Sequence, residues 1–122
     1  MHQETLVFSK QSSLKDLFLD PLLSFRFFNW AHEGLSYIET LKMHDLSQVC
    51  VIIDTNITDM SWLTVIQQLY DYSIQLKLVV LDQSYHVSTA VSAIKNGADD
   101  YWDYHSLSHI LTGLKSLTPF QN

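Results

Sequence analysis

The sequence predicts an α/β fold in which a five-stranded parallel sheet is covered by helices on both faces. Two apolar runs, Val49–Ile53 closed by Asp54 and Leu76–Leu81, are nearly continuous, the pattern of strands buried on both sides. Around them, apolar residues recur at helical spacing. Strand and helix patterns alternate along the chain, the order that builds parallel sheets through crossovers. A length of 122 residues suffices for one core and not for two. The domain is read over 1–117, with 118–122 as a tail or the start of a linker.

Taken in order, Thr5–Phe8 is a short strand. Ser12 or Ser13 follows as a helix N-cap, because a serine hydroxyl can bond the free N–H groups of a first turn. Leu14, Leu17 and Phe18 share a helical face, and Pro21 ends or bends that helix. Phe25–Phe28 is aromatic and strand-like. Gly34 precedes Leu35, Ile38, Leu41 and Met43, a second helical stripe. After the strand ending at Asp54, Trp62, Val65, Ile66 and Leu69 mark a third helix, and strand 77–81 follows. Val87, Val91 and Ile94 form the stripe of a fourth helix, which Gly97 stops by accepting a positive φ. Tyr101-Trp102 begins the last strand. Leu107, Ile110, Leu111 and Leu114 supply a fifth helix.

Composition narrows the function. The net charge is −6, with no lysine or arginine cluster, which argues against direct nucleic-acid binding. No apolar run approaches the roughly 20 residues of a membrane span. The start, Met1-His2-Gln3-Glu4, lacks the pattern of a signal peptide, so a cytoplasmic location is expected. Cys50, the single cysteine, lies within an apolar run and reads as a small core residue. His2, His32, His44, His86, His105 and His109 offer no metal-ligand set; His105 and His109 are four apart but lack a third partner. No glycine-rich phosphate loop occurs, and no cofactor is expected.

An aspartate closing the third strand, a further buried strand one helix later, and the stretch Thr89-Ala90-Val91-Ser92-Ala93-Ile94-Lys95-Asn96-Gly97-Ala98-Asp99-Asp100-Tyr101 resemble the receiver domain of two-component response regulators. The similarity covers nearly the whole chain, strongest from Cys50 to Leu114. It implies a (βα)5, flavodoxin-like fold with Asp54 in the phosphoacceptor position. It also implies an acid pair after the first strand, a hydroxyl on the fourth strand, a lysine on the fifth, and a switch aromatic at Tyr101.

Most of those helpers are replaced. The acid pair falls at Ser9-Lys10, and no Asp or Glu lies between Thr5 and Leu14. Asp82 takes the hydroxyl position and Tyr104 the lysine position, with His105 where a proline usually follows. Ile57-Thr58 and Trp62 replace the usual Met-Pro and glycine. Phosphoryl transfer to a carboxylate needs cationic help that these residues do not give. Asp54, Asp82 and the Asn56 carbonyl are a sparse set for a hard cation. Lys10 is read either as a built-in cation reaching Asp54 and Asp82 or as a solvated loop lysine. Tyr101 is expected to pack at a domain or dimer surface, since Asp82 replaces the hydroxyl that would draw it inward.

The resulting expectation is a pseudo-receiver, not an enzyme, that regulates by protein interaction or dimerisation. Its contact face would be the fourth helix, fifth strand and fifth helix, where Tyr101, Trp102 and Tyr104 add aromatic area. It would stand alone or serve as the input domain of a transcriptional regulator with a C-terminal output domain. Two alternatives stay open: a receiver that does accept phosphate on Asp54, and a small-ligand sensor for nucleotides.

Overall fold

The computed structural model describes residues 4–11, 14–15, 25–41, 49–72 and 76–107, with the side chain of Tyr72 excepted. Five parallel strands, β1 (Glu4–Phe8), β2 (Phe25–Phe28), β3 (Val49–Asp54), β4 (Lys77–Asp82) and β5 (Asp100–Asp103), form one sheet in the order β2-β1-β3-β4-β5. Among the described residues three helices cross between strands: α1 (Ala31–Thr40), α2 (Trp62–Tyr72) and α3 (Val87–Lys95). Residues 104–107, directly after β5, are helical. The five-stranded parallel sheet is therefore present as the apolar runs predict. Ser12, Ser13, Leu17, Phe18, Pro21, Met43, His2, His44, His109, Ile110, Leu111, Leu114 and the 118–122 tail lie outside the described residues.

The strand side chains divide between two cores. On one face Leu6, Phe8, Val51, Ile53, Leu78 and Val80 meet Ala31, Leu35 and Ile38 of α1, Val65, Ile66 and Leu69 of α2, and Ala93 of α3. On the other, Val7, Ile52, Val79 and Leu81 meet Leu14 and Leu107, the described residues of the first and fifth predicted helices. This two-sided burial is why β3 and β4 read as unbroken apolar runs. Cys50 packs against the second core, and burial pushes its thiol up to about 11, which keeps it protonated and inert.

Gly34 lies inside α1, ahead of the Leu35 and Ile38 stripe. A Cβ there would sit 2.2 Å from the Phe8 ring, so the helix tolerates a glycine in order to lie against that buried phenyl group. The α1 start is hidden from local sequence because Trp30, its N-cap, makes no side-chain cap. Asp59, from the loop after β3, accepts the Ala31 and His32 N–H groups instead, at 2.8 and 2.9 Å.

The stripe Val87, Val91 and Ile94 does not face the core. These residues are 65%, 48% and 52% exposed, and Ala93 is the buried residue of α3. Helical spacing identifies residues that share a face but not which way that face points. Alanine on the inner side leaves the larger apolar groups in solvent. Gly97 does follow α3 with φ +112°, and its N–H bonds to the Ile94 carbonyl.

Candidate functional site

The strand order reverses between β1 and β3, and the loops at the C-terminal ends of β1, β3, β4 and β5 converge beside that point. Asp54 is the last residue of β3 and is fully buried. Its Oδ2 accepts hydrogen bonds from two hydroxyls, Ser9 Oγ at 2.6 Å and the phenol of Tyr104. Its Oδ1 accepts the Asn56 N–H at 3.1 Å. Ser9 is fixed by its own backbone, which donates to the Phe28 carbonyl, and its Oγ also accepts the Gln11 N–H. Tyr104 reaches across the crevice because β5 ends at Asp103 and helical residues begin at once.

Burial drives the Asp54 carboxyl above its ordinary range, although the bonds from Ser9, Tyr104 and Asn56 oppose the shift. Burial and the Asp54 charge together push the Tyr104 phenol far up, so it remains a donor at any ordinary pH. The consequence is a buried carboxylate whose Oδ2 already accepts two hydroxyls. An attack on phosphorus would require both hydroxyls to leave it and the tyrosine ring to move aside.

Asp82, at the end of β4, is a second convergence. Its Oδ1 accepts the Thr55 hydroxyl at 2.9 Å and the Gln83 N–H at 2.9 Å. Its Oδ2 accepts the Tyr101 hydroxyl at 2.7 Å and lies 3.3 Å from His86 Nδ1. Burial favours the neutral acid, but bonds from Tyr101, Thr55, His86 and Gln83 outweigh it and hold the carboxyl below its usual range. The Tyr101 phenol is raised to about 12 by burial and by this carboxylate.

The expectation for Tyr101 therefore changes. Asp82, expected to leave its ring outside, is the residue that holds its hydroxyl, and Tyr101 is half-buried. A carboxylate is a stronger acceptor than the hydroxyl it replaces. The built-in cation is also overturned. Lys10 Nζ lies 3.4 Å above the centre of the Trp30 ring, outside the crevice, and only its backbone N–H turns inward, to Asn56 Oδ1 at 3.2 Å. An exposed indole face attracts an ammonium without the desolvation that the crevice would impose.

The donor set does not fit a divalent cation. Ser9 and Lys10 occupy the positions where acids would be needed, and the oxygens of Asp54 and Asp82 are engaged by hydroxyls and N–H groups. Among the described residues no three His, Cys, Asp or Glu side chains gather as a metal site. Of the residues singled out in the sequence, Ser9, Asn56 and Tyr104 meet at Asp54, and Tyr101 meets Asp82. Sequence reading missed Thr55 and His86 as partners of Asp82. Their adjacency to strand ends was visible, but nothing in their spacing marked them.

No protein-family model matches the chain, and no curated protein matches it by sequence. Solved structures do. A signal receiver domain from Vibrio parahaemolyticus superposes with a TM-score of 0.78 at 20% identity, over 96% of this chain and 89% of that one. The fold is that of response-regulator receiver domains. A two-component response regulator from Clostridium difficile gives 0.75 at 13% identity, over 99% of both chains. The beryllofluoride-activated NtrC4 receiver domain dimer gives 0.73 at 20%, over 94% of this chain and 95% of that one. Asp54 is the last residue of β3, and Tyr104 directly follows the last residue of β5. Among the described residues no helix is long and apolar enough to cross a membrane.

Proposed function

We propose that this chain is a pseudo-receiver: a signalling module that works through protein contact and does not take a phosphoryl group on Asp54. The observation that carries this reading is the double capping of Asp54 Oδ2 by Ser9 and Tyr104 in a fully buried position. Phosphoryl transfer depends on positioned positive charge around the transferring group, and the crevice offers hydroxyls and a second carboxylate in its place. Lys10, whose position the resemblance gives to an acid, carries its ammonium over the Trp30 ring.

The contact face is read as α3, β5 and the residues that follow, where Tyr85, Val87, Val91 and Ile94 are exposed. Large apolar groups clustered on a surface favour association. A partner protein or a second copy is the expected occupant, and an output domain beyond Asn122 is compatible with the same face.

Incubation with magnesium and acetyl phosphate should leave the intact mass unchanged. Beryllofluoride with magnesium should likewise leave the tryptophan emission unchanged. A stoichiometric gain of one phosphoryl group, absent in Asp54→Asn, would overturn the reading in favour of a working receiver.

A further inference from the structure

We infer that Asp82, Tyr101 and the His86 backbone form a latch that holds the β4–α3 loop and the start of α3 against β5 in one arrangement, whatever happens at Asp54. The latch is a relay of hydrogen bonds through a single phenol. The Tyr101 hydroxyl donates to Asp82 Oδ2 at 2.7 Å and in turn accepts the His86 N–H at 3.0 Å. His86 is the N-cap residue of α3, and its carbonyl accepts the Ala90 N–H of the first helical turn. One oxygen therefore ties the end of β4, the entry of α3 and the middle of β5 together.

The other Asp82 contacts close the arrangement. Thr55, immediately after β3, donates its hydroxyl to Oδ1, and the Gln83 N–H donates to the same atom. The His86 ring lies 3.3 Å from Oδ2. The Tyr85 ring meets the Tyr101 ring edge to face, with centroids 5.4 Å apart, so the loop is also held by packing. A neutral acceptor could hold Tyr101 only weakly against solvent, whereas an ionised carboxylate makes a charge-assisted bond. Asp82 remains ionised through neutral pH, since its partners keep its pKa low. The bond consequently needs no ligand to form.

Position follows from this. α3 carries the exposed Val87, Val91 and Ile94, and a latched α3 entry presents them in a single orientation. The latch is distinct from the capping of Asp54: it uses different atoms and makes no demand on phosphate chemistry.

Amide hydrogen exchange of the full chain tests it. In the unmodified protein the His86 amide should exchange at least tenfold more slowly than its unstructured rate, despite the exposure of the His86 side chain. Tyr101→Phe, which removes the shared oxygen, should accelerate exchange at His86 and in the first turn of α3 at least tenfold, with the β1 and β3 amides unchanged. Asp82→Asn should do the same to a smaller extent. An unprotected His86 amide in the unmodified protein would overturn the latch even if both variants failed to fold. Unchanged exchange at His86 in a folded Tyr101→Phe would overturn it as well. Neither result bears on whether Asp54 accepts phosphate, because no phosphodonor is present.

Discussion

At the scale of single residues, the balance at Asp54 has a measurable sign. Burial raises its folded pKa above the unfolded value, so ionisation opposes folding as the pH rises past the unfolded value, with the full cost reached above the folded one. Below the unfolded pKa the group is protonated in both states, and the cost is absent. Asp54→Asn keeps an acceptor and a donor for Asn56, Ser9 and Tyr104 without the charge. It should stabilise the protein at pH 7 by on the order of 1 kcal/mol, comparable with one hydrogen bond's net worth. That gain should fade as pH falls through the raised pKa. Urea unfolding at pH 7 and pH 3.5 checks it, and a gain equal at both values would remove the charge argument. The loss of the acid pair, the hydroxyl and the lysine was readable from residue identities alone. Where Lys10 would go was not, because its destination, Trp30, is twenty positions away on another loop.

At the scale of elements, α1 shows how far local signals reach. Its core stripe, Leu35 and Ile38, is plain in the sequence and is buried as expected. Its start is not plain, since Asp59 caps it from across the sheet edge. Its glycine is a point of contact with the Phe8 ring. Gly34→Ala should improve intrinsic helix propensity by about 1 kcal/mol. The new methyl would nevertheless press into the Phe8 ring, and overpacking of this kind costs about 1–3 kcal/mol or more. A net loss is expected. Phe8→Leu in the same chain should recover part of that loss, because the two positions are in direct contact and their effects do not add. Unfolding midpoints of the two single variants and the double variant decide this; strict additivity would mean that the clash is relieved elsewhere. The direction of α3 was equally beyond local reading. Its two sides are both apolar, and packing against the sheet selects the smaller one.

At the scale of the whole molecule, the parallel sheet and its two-sided burial follow from the alternation of elements and the continuous strands, and these were legible; the strand order was not. The pairing of surfaces was not. The apolar side of α3 next to Tyr85 predicts self-association at micromolar concentration, reduced at least tenfold in affinity by Val91→Glu. Sedimentation velocity of both proteins measures it, and a monomer at 100 micromolar would leave a different protein as the remaining occupant.

The cap on Asp54 also bears on which substitutions the crevice can accept. A crevice equipped with the acid pair, hydroxyl and lysine of the resemblance would need replacements at Ser9, Lys10, Asp82 and Tyr104. Replacing Tyr104 or Ser9 alone removes a donor from a fully buried carboxylate, a penalty of about 1–3 kcal/mol before any catalytic benefit exists. Replacing Asp82 alone frees the Tyr101 and Thr55 hydroxyls at once. Each of these three single replacements is expected to cost stability before it adds any cationic help at Asp54, so the crevice resists piecemeal conversion to a magnesium-dependent site while the exposed surfaces stay free to vary.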